Sequence, residues 1–439
     1  MLELDIMSYC NHEIHCSCGR THVCEMAACF VESGALTHLT EFAEQYHHIL
    51  LAADANTFAV CGEKVRSILG SSVENTLVYP ECEGFLVPDE ASIDMLDKLV
   101  TSDTDLLIGI GSGVINDLCK YVSFYHHLPY IIVATAPSMD GYASSGAAMI
   151  LGGMKVTVTT RPPMAIVADV DVLKNAPMDM IRSGYGDIIG KYSSLCDWKL
   201  SHLMLGEAFC PEIYDLVLQV VQAVQDSTDA LVRREDAAIA LLTKALILSG
   251  ITLTLNGNTR PGSGSEHHLS HFYEIVGLIH HEPHLFHGTN VAYSTIVTAW
   301  MRQRICALSA PVFGTVSPET KEALYQTCFA EYADEVRSLQ EKAGYYVRDM
   351  RADYAEKWQD VVKVLSECPS WKELTELFVR IGYDMQDFPR TYGHAKIANA
   401  MLFAKDLKDR YSFLWLYYNL FAEKDLSEGG AVIPAFEQA

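Results

Sequence analysis

The stretch LLIGIGSGVINDLCKYVSFYHH, residues 106–127, decides the fold. Its opening apolar run is too short for a helix and ends in glycine, the pattern of a strand buried on both faces. A GSG turn follows, and the remainder spaces its apolar residues as a helix does. Strand, glycine turn and helix in that order are half of a βαβ unit. Without a Cβ at the turn, backbone N–H groups can approach a pyrophosphate at the helix N-terminus. Gly111, Ser112 and Gly113 are the candidate donors. The spacing is not GxGxxG, so these residues alone leave a plain strand–helix turn open beside a dinucleotide loop.

The same alternation extends outward in both directions. HHILLAAD (47–54) and VENTLVYP (73–80) read as strands, FAVCGEKVRSILGS (58–71) and EASIDMLDKLVTSDTD (90–105) as helices. PYIIVATAP (129–137) is another buried strand, and KVTVTTRPPMAIVADVDVLKNAP (155–177) adds two more, as a hairpin and a returning strand. After residue 177 the texture changes to long runs of helical period, including 178–204, 211–255 and 318–420. Residues 424–439 read as a frayed tail. The expectation is therefore an α/β N-terminal domain over 1–177, with a Rossmann-like parallel sheet, and an all-α domain over 178–439. The active site is expected in the cleft between them, where ligand sites are favoured.

A chain of 439 residues with 49% hydrophobic and 20% charged residues can bury a large core without staples. Its net charge of −24 argues against nucleic acid, whose binding rests on phosphate neutralisation, and against an acidic membrane face. MLELDIMSYC shows no basic segment leading into a long apolar run, so no secretory signal is expected. The apolar runs fall short of about 20 residues, so no membrane insertion is expected either. The 13 cysteines, an odd number scattered along the chain, suggest a reducing cytoplasm. Cys10, Cys16, Cys18 and Cys24 cluster with His12, His15 and His22 but lack paired C-x2-C spacing. A short hairpin of unbridged thiols is the plainer reading there, beside a structural zinc.

Residues 263–288 carry seven of the chain's 17 histidines. His267 and His271 are four apart and share one face of a helix. His287 begins a second helical run, NVAYSTIVTAW. A catalytic divalent ion takes three protein ligands and keeps an open position. Asp187, in GYGDIIGK, would supply a carboxylate, since aspartate is rarely buried without a partner. His268, His280, His281 and His284 read as surface or supporting residues. Between strand and helical regions, ATAPSMDGYASSG (134–146) offers Asp140 and Ser144 on a loop at the carboxyl ends of parallel strands, where ligands bind. Asp54, closing an early strand, could meet the adenosine ribose, and its charge leans toward NAD over NADP.

GIGSGVIND, TAPSMDGYASSG, GYGDIIGK, SGSEHHLSH and FHG, in this order, resemble the motifs of the iron-containing alcohol dehydrogenase and dehydroquinate synthase-like superfamily. Within it, Ser138–Ser144, Arg260–His271 and Arg410–Tyr411 are similar to the sn-glycerol-1-phosphate dehydrogenases. The likeness runs from about residue 45 to 420. It implies Asp187, His267 and His287 as ligands of one divalent metal ion per chain, zinc, nickel, iron or manganese. It implies Asp140 and Asp187 beside the substrate and His271 near the reacting hydroxyl, with His271 and Asp187 as the catalytic pair. It implies dinucleotide contacts, to NAD or NADP, at Asp54, Gly111, Ser112, Gly113, Asn116, Asp117, Thr135, Ser138 and Ser144. The implied reaction is reversible reduction of dihydroxyacetone phosphate to sn-glycerol 1-phosphate, a lipid backbone, by a cytoplasmic homodimer. His268 and a longer region at 320–370 depart from the pattern. Because the chain is acidic, a phosphorylated substrate needs a local cation, and Arg260 is the candidate for its planar fork. A polyol dehydrogenase is the alternative. A dehydroquinate synthase-like lyase is a third reading, with few lysines near the motifs to support it.

Overall fold

The computed structural model describes residues 4–81, 86–428, 430 and 432–437. They form two compact units, residues 1–188 with 222–258, and residues 189–221 with 259–439.

The first unit is built on a six-stranded parallel sheet. In chain order the strands of this unit are β1 (Ile14–His15), β2 (Thr21–His22), β3 (Ala28–Glu32), β4 (Ile49–Asp54), β5 (Val73–Tyr79), β6 (Leu106–Gly111), β7 (Tyr130–Ala134), β8 (Gly146–Leu151), β9 (Met154–Thr159) and β10 (Ala165–Asp169). The sheet order is β3-β10-β7-β6-β4-β5. Every residue of β6, β7 and β10 is buried, as two covered faces require. Leu51, Ala53, Ile108, Ile110, Val133 and Val167 form the core of one face. The chain steps from β4 outward to β5, then crosses back to place β6 on the other side of β4. That reversal is the topological switch point, where open α/β sheets bind ligands beyond the carboxyl ends of their strands. β9 and β10 fall in the 155–177 run as expected, but the antiparallel partner of β9 is β8, just ahead of that run, and β10 returns to the sheet.

Two further elements of this unit differ from the sequence expectation. The edge strand β3, five residues at Ala28–Glu32, pairs parallel with β10 over its whole length. It went unread because its half-buried ACFVE lacks both alternation and a long apolar run. The Asp236–Asn256 helix is long and apolar enough to cross a membrane, but 78% of that window is buried inside the protein. It is the core helix of this unit.

The second unit is helical among its described residues. Its principal helices include Ser265–His280, His287–Cys306, Arg351–Leu365, Trp371–Ile381 and Phe413–Ser427. Trp371–Ile381 opens on a capping box, with Ser370 and Glu373 satisfying each other's backbone N–H groups. Among the described residues the tail differs from that expectation. Phe413–Ser427 continues past residue 424, and Phe436 is buried with its ring 5.0 Å from that of Phe388. Burial of the Phe436 ring offsets part of the entropy lost in holding the residues around it.

Candidate functional site

In the first unit, the sequence candidates gather at the carboxyl edge of the sheet. Ala53 of β4 lies opposite Ile110 of β6, and Gly111 opposite Ala134 of β7. Asp54, Gly111 and Thr135 therefore stand on three adjacent strand ends. Thr135 N–H donates to the Gly111 carbonyl at 3.1 Å. The Gly113–Tyr125 helix starts immediately after, so its first N–H groups point toward the switch point. A Cβ on Gly111 would stand 2.6 Å from the Ile115 side chain, whereas one on Gly113 would meet nothing nearer than Met139 at 3.7 Å. Glycine is needed at 111 for packing. At 113 the protein itself leaves room. Asp54 caps the short turn after β4 by accepting from Thr57 N–H at 2.9 Å. Burial pushes the Asp117 carboxyl up to about 6.

Ser138 and Ser144 are nearly buried. Ser138 accepts on its carbonyl from the Ser183 hydroxyl at 3.0 Å. The Ser144 hydroxyl accepts from Lys120 Nζ at 3.3 Å, and Lys120 also donates to the carbonyls of Gly141 and Gly146. Burial draws the Lys120 amine down to about 8. Asn116 is buried with its amide nitrogen 3.4 Å from the Gly141 carbonyl. So Lys120, absent from the sequence candidates, is the cation that fixes the 141–146 loop. Its signal was the lone basic residue of the Gly113–Tyr125 helix.

The same unit clamps Asp140. Its backbone N–H donates to Asp187 Oδ2 at 3.0 Å, and Ser249 Oγ donates to its Oδ2 at 2.9 Å. Two glycines allow the approach. A Cβ on Gly184 would lie 1.9 Å from the Pro137 carbonyl oxygen, and one on Gly250 would lie 2.6 Å from that of Asp140. Asp187 sits one helical turn after Gly184 on the Met178–Leu205 helix and is fully buried.

In the second unit, the histidines converge. His267 and His271 lie on the Ser265–His280 helix, and His287 opens the His287–Cys306 helix, as the spacing suggests. Ring centroids are 5.2 Å apart for His267–His287, 5.5 Å for His271–His287 and 6.0 Å for His267–His271. The first helix is anchored at its N-terminus by two buried carboxylates. Asp197 accepts from Ser265 N–H at 2.6 Å and Glu266 from Gly264 N–H at 2.8 Å, which satisfies donors that a helix start leaves open.

Glutamates orient two of the rings. His267 Nδ1 donates to Glu266 at 2.7 Å, and His287 Nδ1 donates to Glu274 at 2.8 Å. Both glutamates are buried. Burial raises the Glu266 carboxyl, but the bonds from His267 and Gly264 outweigh it and hold it below its ordinary value. A carboxylate on Nδ1 leaves the lone pair on Nε2, the arrangement that metal-ligating histidines show. His271, Glu274 and His287 also offer donor atoms within 4.8 Å of one another. Glu266 and Glu274 were not read as site residues. Their signal was two acidic residues eight apart, on one helix face, in the run that carries the histidines.

Arg260 and His268 differ from expectation. The Arg260 fork is spent inside the protein: Nε and Nη2 donate to Glu207 at 2.7 and 2.5 Å, and Nη1 to the Tyr411 carbonyl at 2.6 Å. That pairing makes it a positioning residue and takes the phosphate role from it. His268 is fully buried rather than at the surface, with neither ring nitrogen bonded. Burial first, then Arg410, Lys408 and Arg260, hold its pKa well below the ordinary value, so the ring is neutral. Arg410 donates to the Thr259 hydroxyl at 2.7 Å and the Ser263 carbonyl at 3.2 Å, both uncharged. Burial and then Arg260 bring its guanidinium down to about 10.

Comparison with known proteins places these motifs. The model of the iron-containing alcohol dehydrogenase family matches residues 30–177. A glycerol-1-phosphate dehydrogenase [NAD(P)+] of Halalkalibacterium halodurans is 36% identical over 288 residues, covering 64% of this chain and 72% of that one. One from Bacillus licheniformis is 29% identical over 93% of this chain and 94% of its own length. Among solved structures, the glycerol dehydrogenase of Schizosaccharomyces pombe aligns with a TM-score of 0.57 at 16% identity, over 92% of this chain and 90% of that one, a likeness of fold. With that identity and coverage, on this sheet and these histidine-bearing helices, the chain belongs to the iron-containing alcohol dehydrogenase family.

Proposed function

We propose that the protein reversibly reduces dihydroxyacetone phosphate to sn-glycerol 1-phosphate with NADH or NADPH, so supplying a lipid backbone. Residues 1–177 serve the dinucleotide and 178–439 the metal and substrate. Asp187, His267 and His287 are the candidate ligands of one divalent ion. The fit rests on the glutamate-tied Nδ1 atoms of the two histidines, which present Nε2, and on a fully buried carboxylate. An oxygen and two imidazole nitrogens suit zinc, nickel, iron or manganese. When bound, the ion supplies a Lewis acid for the ketone oxygen and the dinucleotide supplies the hydride.

The chain's own residues do the rest in this reading. N–H groups of Gly111, Ser112 and Gly113 hold the pyrophosphate, while Asp54 accepts from ribose hydroxyls. Asn116, Asp117, Thr135, Ser138 and Ser144 shape that edge. Asp140, held by Ser249 and Asp187, accepts from a substrate hydroxyl. His271 moves the hydroxyl proton at a ring nitrogen, a task suited to imidazole. A homodimer in the cytoplasm is the assembly and compartment that go with this reading.

One observation favours a phosphorylated ketone over a free polyol. Arg410 is a mostly buried cation whose bonds go to neutral oxygens, with the neutral, unbonded His268 among the nearby basic groups. A desolvated guanidinium whose hydrogen bonds go to neutral oxygens, with Asp409, Glu207 and Glu266 acting on it only through space, suits an anion. Arg410→Ala should lose about 1.5–3 kcal/mol, roughly 10- to 100-fold in kcat/KM, on dihydroxyacetone phosphate only. Arg260→Ala should lose equally on the phosphate and on dihydroxyacetone, because it strips the partner from Glu207. Steady-state NADH oxidation with both ketones decides it. A wild type that prefers dihydroxyacetone would overturn the phosphate reading and favour a polyol dehydrogenase.

A further inference from the structure

The N-terminal hairpin holds a second cluster that the dehydrogenase chemistry does not use. β1 and β2 pair antiparallel, with Ile14 opposite His22 and His15 opposite Thr21. The connection, Cys16–Arg20, is a tight turn: Gly19 N–H donates to the Cys16 carbonyl at 3.0 Å, and Cys16 N–H to the Arg20 carbonyl at 3.1 Å. Gly19 has a φ of 82°, which a side chain would strain. This turn folds Cys16 and Cys18 back toward His22 on the second strand. The described cysteines, these two included, form no disulfide.

We propose that Cys16, Cys18 and His22 bind a structural zinc ion that fastens this hairpin to the end of the Asp236–Asn256 helix. Their donor atoms lie within 4.8 Å of one another. Cys18 Sγ and His22 Nε2 are 3.4 Å apart. A tetrahedral zinc with Zn–S of about 2.3 Å and Zn–N of about 2.1 Å separates such a pair by about 3.6 Å, so the hairpin is already at ligand spacing. The outer contacts agree. His22 Nδ1 lies 2.7 Å from the Leu255 carbonyl, an acceptor only, so Nδ1 carries the proton and Nε2 the lone pair. Cys18 N–H donates to Cys16 Sγ at 3.4 Å, a bond that favours the thiolate a metal needs. Arg20 Nη2 donates to Asn256 Oδ1 at 2.5 Å and Nη1 to its carbonyl at 3.2 Å, so a second residue of the turn grips the same helix end. The hairpin supplies three of the four donors that a structural zinc takes.

Sulfur ligation separates this site from one of carboxylate and imidazole. Stripped of metal under reducing conditions, the full-length protein is titrated with cobalt(II) and then zinc(II). Cobalt should produce a near-ultraviolet sulfur-to-metal charge-transfer band that reaches full height within two equivalents, one for each proposed site, and is abolished by zinc. Cys16→Ser/Cys18→Ser should lose the band and one equivalent of bound zinc, yet still bind one equivalent of cobalt elsewhere. His22→Ala, which keeps both thiols, should weaken zinc binding at least 10-fold. If the double variant fails to fold, the wild-type band and the His22→Ala titration carry the test. Absence of a thiolate band in the wild type, or its survival in the double variant, overturns the proposal. Neither result bears on the reduction of ketones.

Discussion

At the carboxyl edge of the sheet, Gly111 and Thr135 are held by backbone hydrogen bonding between neighbouring strands, whereas His267 and His287 are held by side chains, each against a buried glutamate. In the proposed function the first region would recognise by where it leaves space and N–H groups, and the second by which atoms it aims. A substitution at the sheet edge therefore acts through volume. At the histidine helices it acts through donor chemistry, and a change of similar size but different basicity is the damaging one.

The largest expected effect tests the chemical side of this contrast. His267→Ala should lose bound metal and lower kcat by on the order of a thousandfold, since metal polarisation is worth several kcal/mol. The fold should survive, because removing one imidazole leaves the Asp197 and Glu266 bonds at the helix start intact. Elemental analysis alongside thermal melting would check it. Full metal content in the variant would remove His267 from the ligand set.

The next effect separates volume from packing. Gly113→Val should retain wild-type stability yet lose at least 10-fold in NADH affinity by calorimetry, because the protein leaves open the space its Cβ would take. Gly111→Ala, a smaller change, should cost about 1–3 kcal/mol of stability, since its Cβ would crowd Ile115. If both variants failed in the same way, the two glycines would share one role and the distinction would collapse.

How far the sequence reached follows the same divide. Strands β4, β6 and β7 were readable because burial on both faces writes itself as ILLAAD, LLIGIG and YIIVA. The histidine spacing was readable because a helix places i and i+4 together. Edge strand β3 was not, since one partner and a half-buried face leave no periodic trace. The partner of Arg260 was not readable either. Glu207 lies 53 residues away in sequence, and only folding shows that the guanidinium is already engaged. His268 misled for a related reason: a histidine beside other histidines looks solvated until its helix face is known to be buried.

A smaller effect probes the supporting layer. Glu274→Gln keeps shape and removes charge, so the His287 ring stays placed but its Nε2 becomes a weaker donor. Metal affinity should fall 10- to 100-fold, the usual cost of losing such a partner, with the melting temperature little changed. A competition titration against a chelator would read it. An unchanged affinity would mean that Glu274 only fills space.

The smallest effect is the sharpest check on the boundary of the site. His280 ends the same helix that carries His267 and His271, thirteen residues after the first of them, and the helix rise of about 1.5 Å per residue puts it about 20 Å away. Its Nε2 lies 3.2 Å from the Cys328 carbonyl, a contact of ordinary strength at the margin of the helix. His280→Ala should therefore leave metal content and kcat at wild-type values and cost no more than about 1 kcal/mol in stability, the worth of one neutral hydrogen bond. Proximity in sequence gives His280 the same standing as His267. Distance along the helix sets them apart, as does the carboxylate behind Nδ1 of His267, which fixes the tautomer and aims the opposite nitrogen. Loss of metal in His280→Ala would show that density of histidines, and not their orientation by buried glutamates, is what the segment uses to hold the ion.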